Sequence, residues 1–242
     1  SFYHEDQRLT LAGALVESSN TAIAQYTDLL DAASRHDYLE KFGFGEATAV
    51  GFLGESDGLL ADAEDWDSRT NYAVQFGQGL STTSIQMASS YQALGNGGVR
   101  LPATLVEGCY WPDGTVTQQP SAEGIRVVSE QAAQQTLQMM EMVYSSSGSA
   151  PNLNIPGYRV AVKSGTAQVA ENGSYGRKVV ISYAGLAPAE DPEYVVIATA
   201  GIPDSIYSGA IASTFRDIMA HTLTTYRVTP SSTSGPDLPL RW

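Results

Sequence analysis

A lysine, a hydroxyl residue, a glycine and a second hydroxyl residue follow one another at Lys163-Ser164-Gly165-Thr166, inside the run Val160-Ala161-Val162-Lys163-Ser164-Gly165-Thr166-Ala167-Gln168. β-Branched and small residues lead into the lysine, so the run predicts a β-strand. Side chains alternate along a strand, which puts the hydroxyls of Ser164 and Thr166 on one face. A lysine held on a strand fixes a positive charge where an anionic substrate end would lie. Gly165 has no Cβ and lets another backbone approach closely. The pattern suits a strand edge built to hold a peptide carboxylate. Ordinary turns and strand ends also contain such triplets, so the reading needs partners elsewhere in the chain.

Ser18-Ser19-Asn20 is the single S-x-N triplet of the sequence, and it sits between two helical patterns, residues 8–17 and 21–34. Read locally, it is a helix end followed by an N-cap, with Ser or Asn accepting from free N–H groups. Phe76-Gly77-Gln78-Gly79 reads as a flexible turn, with Gln78 at its centre.

The elements that must position these residues follow from periodicity. Residues 21–34 place Ile23, Tyr26, Leu29 and Leu30 on one helix face, and His36 to Phe44 forms a short aromatic helix stopped by Gly43 and Gly45. Thr48 to Leu53 is strand-like, and 55–69 is acidic and irregular. Thr82 or Thr83 caps a helix that Asn96-Gly97-Gly98 ends. A hairpin-like excursion turns at Trp111-Pro112-Asp113-Gly114, and Ser129 caps a helix running to about Tyr144, whose Met139, Met140 and Met142 read as core filler. Three strands are expected over 158–168, 178–187 and 194–201, then a helix over 210–226 with Phe215 and Met219 on its apolar stripe. Residues 1–228 read as a domain, and 229–242, rich in Pro, Ser, Thr and Gly, as a flexible tail.

The 242 residues suffice for a sizeable core, and 43% hydrophobic with 16% charged residues describes a globular chain. A net charge of -13 argues against nucleic acid as a partner. Three scattered histidines (His4, His36, His221) and the single Cys109 do not form a usual Cys/His metal site, and no cofactor is expected. Cys109 reads as a small buried residue unless it pairs with a cysteine outside this piece. The chain opens Ser1-Phe2-Tyr3 and is expected to be a processed or excised piece.

Together these motifs resemble the transpeptidase domain of class B penicillin-binding proteins, particularly the division-type enzymes. The resemblance runs from about Leu9 to Tyr226. It rests on Ser18-Ser19-Asn20, Lys41-Phe42-Gly43-Phe44-Gly45, Phe76-Gly77-Gln78-Gly79-Leu80-Ser81-Thr82-Thr83, Asn96-Gly97-Gly98 and Lys163-Ser164-Gly165-Thr166-Ala167-Gln168. It implies an α+β fold of the penicillin-binding-protein and serine β-lactamase type, an antiparallel sheet flanked by helices. It also implies a site in which Ser18 relays a proton to the leaving or from the attacking amine and Asn20 holds a substrate amide. Lys163 supplies positive potential, Ser164, Gly165 and Thr166 bind the carboxylate, and the Thr166 N–H forms half of an oxyanion hole. Gln78 would line the cleft, and Tyr207 or Tyr183 would form its rim. Read without the resemblance, Ser18 and Asn20 are caps, Gln78 a turn residue and the tyrosines half-buried core.

The family's nucleophile belongs to S-x-x-K. Three residues before Lys41, Lys163 and Lys178 stand Tyr38, Val160 and Tyr175, so these 242 residues contain no S-x-x-K. Only 17 residues precede Ser18. The expectation is that the nucleophile and the first strands of the sheet lie upstream, in a missing N-terminal part of the same protein. The resemblance then implies a serine acyl-enzyme that cross-links D-Ala-D-Ala peptidoglycan stem peptides and is acylated by β-lactams. It implies a glycosyltransferase and other division proteins as partners, and a place on the outer face of the bacterial cell membrane, anchored upstream of Ser1. A serine β-lactamase or D,D-carboxypeptidase, and a non-catalytic binding or sensor module, remain as rival readings.

Overall fold

The computed structural model describes residues 7–119, 123–171, 174–203 and 211–242. Its centre is an antiparallel sheet of β5 (Ala161–Glu171), β6 (Ser174–Ala187) and β7 (Tyr194–Ile202), in the order β5-β6-β7. Apolar residues run almost unbroken through the 179–187 part of β6 and along β7, as two covered faces require. On one face Val160, Val162, Val179, Ile181 and Tyr183 pack with Phe215, Met219 and Leu223 of α8 (Ala212–Thr225). On the other, Ala161 and Leu186 meet Leu137 and Met140 of α6 (Glu130–Ser146). Helix α6 also sends Met142 and Val143 into the first cluster, so it straddles the start of β5. Ser129 caps α6 by accepting from the Ala132 N–H. Burial of these side chains is the main source of stability, at about 25 cal/mol per Å² of apolar surface.

The helical part begins with α1 (Leu11–Val16), capped by Thr10, and α2 (Asn20–Thr27), capped by Ser19. The helix expected over 21–34 is interrupted at Asp28–Asp31, and α3 (Ala32–Lys41) starts afresh with Asp31 accepting from the Ser34 N–H at 2.7 Å. The cause is tertiary. Arg35, nearly buried, donates from Nη1 to the Leu30 carbonyl and shares the Thr27 carbonyl with the Leu30 N–H. It also bonds Asn71 of α4 (Ser68–Ala73). Leu29 and Leu30 are exposed instead of facing inward.

The strand expected over 48–53 is a turn. Gly51 has a φ of +72°, a left-handed angle that interrupts any extended run, and Phe52 and Leu53 face solvent. This loop is held from α5 (Ser84–Gly95). Thr83 and Gln86 form a reciprocal capping box there, and the Gln86 amide, 0% exposed, donates to the Glu46 and Asp57 carbonyls. Beyond α5, β1 (Val99–Arg100) pairs with β4 (Ile125–Arg126), and β2 (Cys109–Tyr110) pairs with β3 (Val116–Thr117) around the Trp111–Gly114 turn. Cys109 is partly exposed, with Sγ on Gln118 Oε1. A short α7 (Ala150–Leu153) leads towards β5.

The tail is not free. Arg159 donates its N–H to Ser231 Oγ and its Nη1 to Thr233 Oγ1, Thr10 donates to the Pro239 carbonyl, and Trp242 donates to Arg8 and Leu9. Leu238 and Leu240 pack on the core. Its polar composition suggested disorder, but its backbone groups find partners on the domain. Among the described residues no helix is long and apolar enough to cross a membrane.

Candidate active site

Ser18 follows α1 with a φ of +49°. Its N–H reaches the Leu15 carbonyl at 3.2 Å, and the Ser19 N–H reaches that of Ala14 at 3.0 Å. These two bonds make a Schellman ending, in which the left-handed position is usually glycine. A serine there carries its Cβ at a conformational cost of ~1–2 kcal/mol. The following residue, Ser19, caps α2, which leaves the Ser18 side chain for other work. Asn20 is the first residue of α2 and is exposed.

Lys163 points at this turn. Its Nζ donates to Ser18 Oγ at 2.5 Å and to the Ser164 carbonyl oxygen at 2.8 Å. Two residues separated by 145 positions are thus joined, one on the sheet and one on the helical part. Burial pulls the lysine down from its ordinary 10.5 to about 8. At pH 7 it is therefore still about nine-tenths charged. A depressed ammonium loses its proton earlier, so attraction for an anionic ligand is full below about pH 7 and fades as pH rises through about 8. Penicillin acylation of the full-length protein is expected to follow that fall, and in Lys163→Arg to lose it, because guanidinium stays charged throughout. The same alkaline limb near 8 in Lys163→Arg would assign the titration to another group.

β5 is an edge strand among the described residues. Register sets Ser164 opposite Tyr183 and Thr166 opposite Ile181, while Gly165 lies opposite Ser182 and Ser182 opposite Thr199. Ser164 and Thr166 therefore share one face, and Lys163, Gly165, Ser182 and Thr199 the other. A cleft of about 820 Å³ opens on the second face, between the 165–169 stretch of β5 and the 76–84 loop, and Phe44, Phe76, Gln78, Thr82 and Thr166 help to line it. Gly77 has a φ of +83° and closes the turn that presents Gln78, whose N–H bonds the Ala73 carbonyl.

The structure thus brings Lys163 onto Ser18, and sets Gln78, Gly165 and Thr166 around one cleft. Tyr183 is not at its rim. It is 2% exposed, packs on Phe215 and shares a hydrogen bond with Ser149 Oγ. Strand parity puts it with Val179 and Ile181 in the core. Tyr207 lies outside the described residues. Ser182 and Thr199 are cleft residues the motif reading missed; the available signal was a hydroxyl recurring within each apolar strand. Among the described residues no group of three or more His, Cys, Asp or Glu side chains is placed to hold a metal.

Residues 2–220 of this mixed helix-and-sheet domain, in which a strand lysine meets a serine of the helical part, match the penicillin binding protein transpeptidase domain. The chain belongs to that family. It is 35% identical over 245 residues to penicillin-binding protein PbpB of Mycolicibacterium smegmatis, covering 96% of this chain and 38% of that protein. It is 31% identical over 233 residues to peptidoglycan D,D-transpeptidase FtsI of Escherichia coli, covering 95% of this chain and 38% of the relative. Among solved structures, penicillin-binding protein 3 of Mycobacterium tuberculosis, complexed with ampicillin, superposes with a TM-score of 0.91 at 34% identity, covering 100% of this chain and 56% of the other. The chain spans less than two-fifths of the length of these curated relatives.

Proposed function

We propose that this chain forms one wall of the active site of a peptidoglycan D,D-transpeptidase whose nucleophilic serine lies outside these 242 residues. The observation that carries the reading is the hydrogen bond from Lys163 Nζ to Ser18 Oγ beside the open edge of β5. Because Ser18 Oγ accepts from the lysine, its own proton is left to be given elsewhere. The stem peptide lies along β5, its terminal carboxylate held by Ser164 and Thr166 and by the charge of Lys163. The nucleophile attacks the penultimate D-Ala carbonyl, and the oxyanion is met by the Thr166 N–H. The C–N bond breaks, Ser18 passes its proton to the departing D-Ala nitrogen and takes up the proton that the nucleophilic hydroxyl gives up, and an ester remains on the nucleophile. An amine of a second stem then attacks the ester, the acyl C–O bond breaks, and the amine's proton returns through Ser18 to the nucleophile's oxygen. β-Lactams enter as strained copies of the same acyl donor. Asn20 holds the donor's amide, and Gln78 lines the cleft.

The relatives' names support the D,D-transpeptidase reading; the class resemblance extends the proposal to the outer face of the cytoplasmic membrane, an anchor upstream and cooperation with a glycosyltransferase during division. The test is to give the full-length protein a D-Ala-D-Ala-ended donor with and without an acceptor amine. A transpeptidase releases D-Ala and forms the cross-linked amide. Release of D-Ala with water as the only acceptor would favour a carboxypeptidase. Rapid turnover of excess β-lactam would favour a β-lactamase, and no reaction with either would favour a binding module.

A further inference from the structure

The C-terminal tail touches both elements that meet at the site. At one end it is bound to the residues leading into β5. The Tyr158 hydroxyl donates to the Val228 carbonyl at 2.8 Å, and the Ser231 N–H donates to that of Gly157 at 2.9 Å. Arg159 donates to Ser231 Oγ at 2.9 Å and to Thr233 Oγ1 at 2.7 Å. Lys163 lies four residues further along. At its other end the tail grips the start of α1. Thr10, the N-cap, donates from Oγ1 to the Pro239 carbonyl at 2.7 Å and from its N–H to the Leu240 carbonyl at 3.2 Å. Trp242 donates from its N–H to the Arg8 carbonyl at 3.0 Å and from Nε1 to that of Leu9 at 3.2 Å. The Leu240 carbonyl is pressed so closely on α1 that a Cβ at Gly13 would lie 1.9 Å from its oxygen. Ser18 closes the other end of this six-residue helix.

We propose that residues 228–242 are a strap that fixes α1 against β5, and so sets Ser18 at its working distance from Lys163 during acyl transfer. The proposal rests on the acyl-transfer reading above. Thr10, Gly13, Arg159 and Trp242 are then positioning residues, acting through Ser18 and Lys163 without touching substrate. Helix α1 is too short to hold itself in place. A proton relay is sensitive to displacements of about 1 Å, which can cost as much as about a hundredfold in rate.

Gly13 provides a sharp test, because alanine there favours the helix but collides with the strap. In the full-length protein, deletion of 237–242 and Gly13→Ala are each expected to slow the first-order acylation step at saturating fluorescent penicillin by about tenfold. The fraction of molecules finally labelled and the half-saturating concentration should stay unchanged. Combining the two should slow the step no further than the deletion alone. Unchanged rates in both single variants would overturn the strap. A reduced labelled fraction at unchanged rate would also overturn it, by showing that the tail only helps the chain to fold. Absence of labelling in the unaltered protein would instead remove the acyl-transfer reading, and the strap with it.

Discussion

Replacing Ser18 by glycine is expected to make the protein more stable and far less active. The turn that carries Ser18 is a Schellman ending with φ +49° at the serine, the position glycine fills most cheaply. Removing its Cβ relieves a strain of ~1–2 kcal/mol. The change also deletes the hydroxyl that Lys163 contacts, but the lysine keeps its bond to the Ser164 carbonyl. A net gain of about 1 kcal/mol is the expected balance. The chemical step loses its proton relay, and general acid–base groups are worth on the order of 10²–10⁴ in rate. Ser18→Ala should share the loss of activity without the gain in stability, because its Cβ still occupies the left-handed position. Chemical denaturation and penicillin acylation of the two variants would check this. A Ser18→Gly protein that is clearly less stable would mean the Lys163 contact holds the fold more than the turn strains it.

Arg159→Ala is expected to lose ~3–5 kcal/mol of stability. The guanidinium forms two parallel bonds of 2.8 Å with Glu141, which is 5% exposed on α6. Glu190 lies 3.8 Å from the same group. Removing the arginine leaves a buried carboxylate without its counter-charge, the costly half of a broken ion pair. It also releases the tail at Thr233, while the Arg159 N–H, which survives the substitution, keeps its bond to Ser231 Oγ. Arg159→Ala with Glu141→Leu should recover most of the loss, because an apolar pair of similar volume avoids the desolvation problem. Denaturant midpoints would decide. If the double variant is as unstable as the single one, the tail contacts matter more than the ion pair.

The parts that were legible in the sequence were those that local chemistry dictates. The lysine strand, the caps at Ser129 and Thr83, the glycine stop after α5 and the three long strands all follow from period and punctuation. The S-x-N triplet could be read both as a cap and as chemistry, and the structure divides the labour: Ser19 caps while Ser18 faces Lys163. What was hidden depended on distant partners. Leu29 and Leu30 fit a helical stripe, yet Arg35 takes the carbonyls of the broken turn. Val50, Phe52 and Leu53 suggested a strand, yet Gly51 turns the chain and Gln86 pins the loop from 29 to 40 residues away. Tyr183 was placed at the rim by the resemblance alone, although its parity with Ile181 already pointed inward. The tail read as disordered because composition cannot show that Thr10, Arg159 and the core were waiting for its backbone and leucines.

The most direct measurement is peptide mapping by mass spectrometry of the full-length protein after incubation with a penicillin. One adduct is expected, on a serine of an S-x-x-K sequence outside residues 1–242, formed more slowly when Ser18 or Lys163 is replaced. An adduct on Ser18, or on any other serine within these 242 residues, would contradict that assignment.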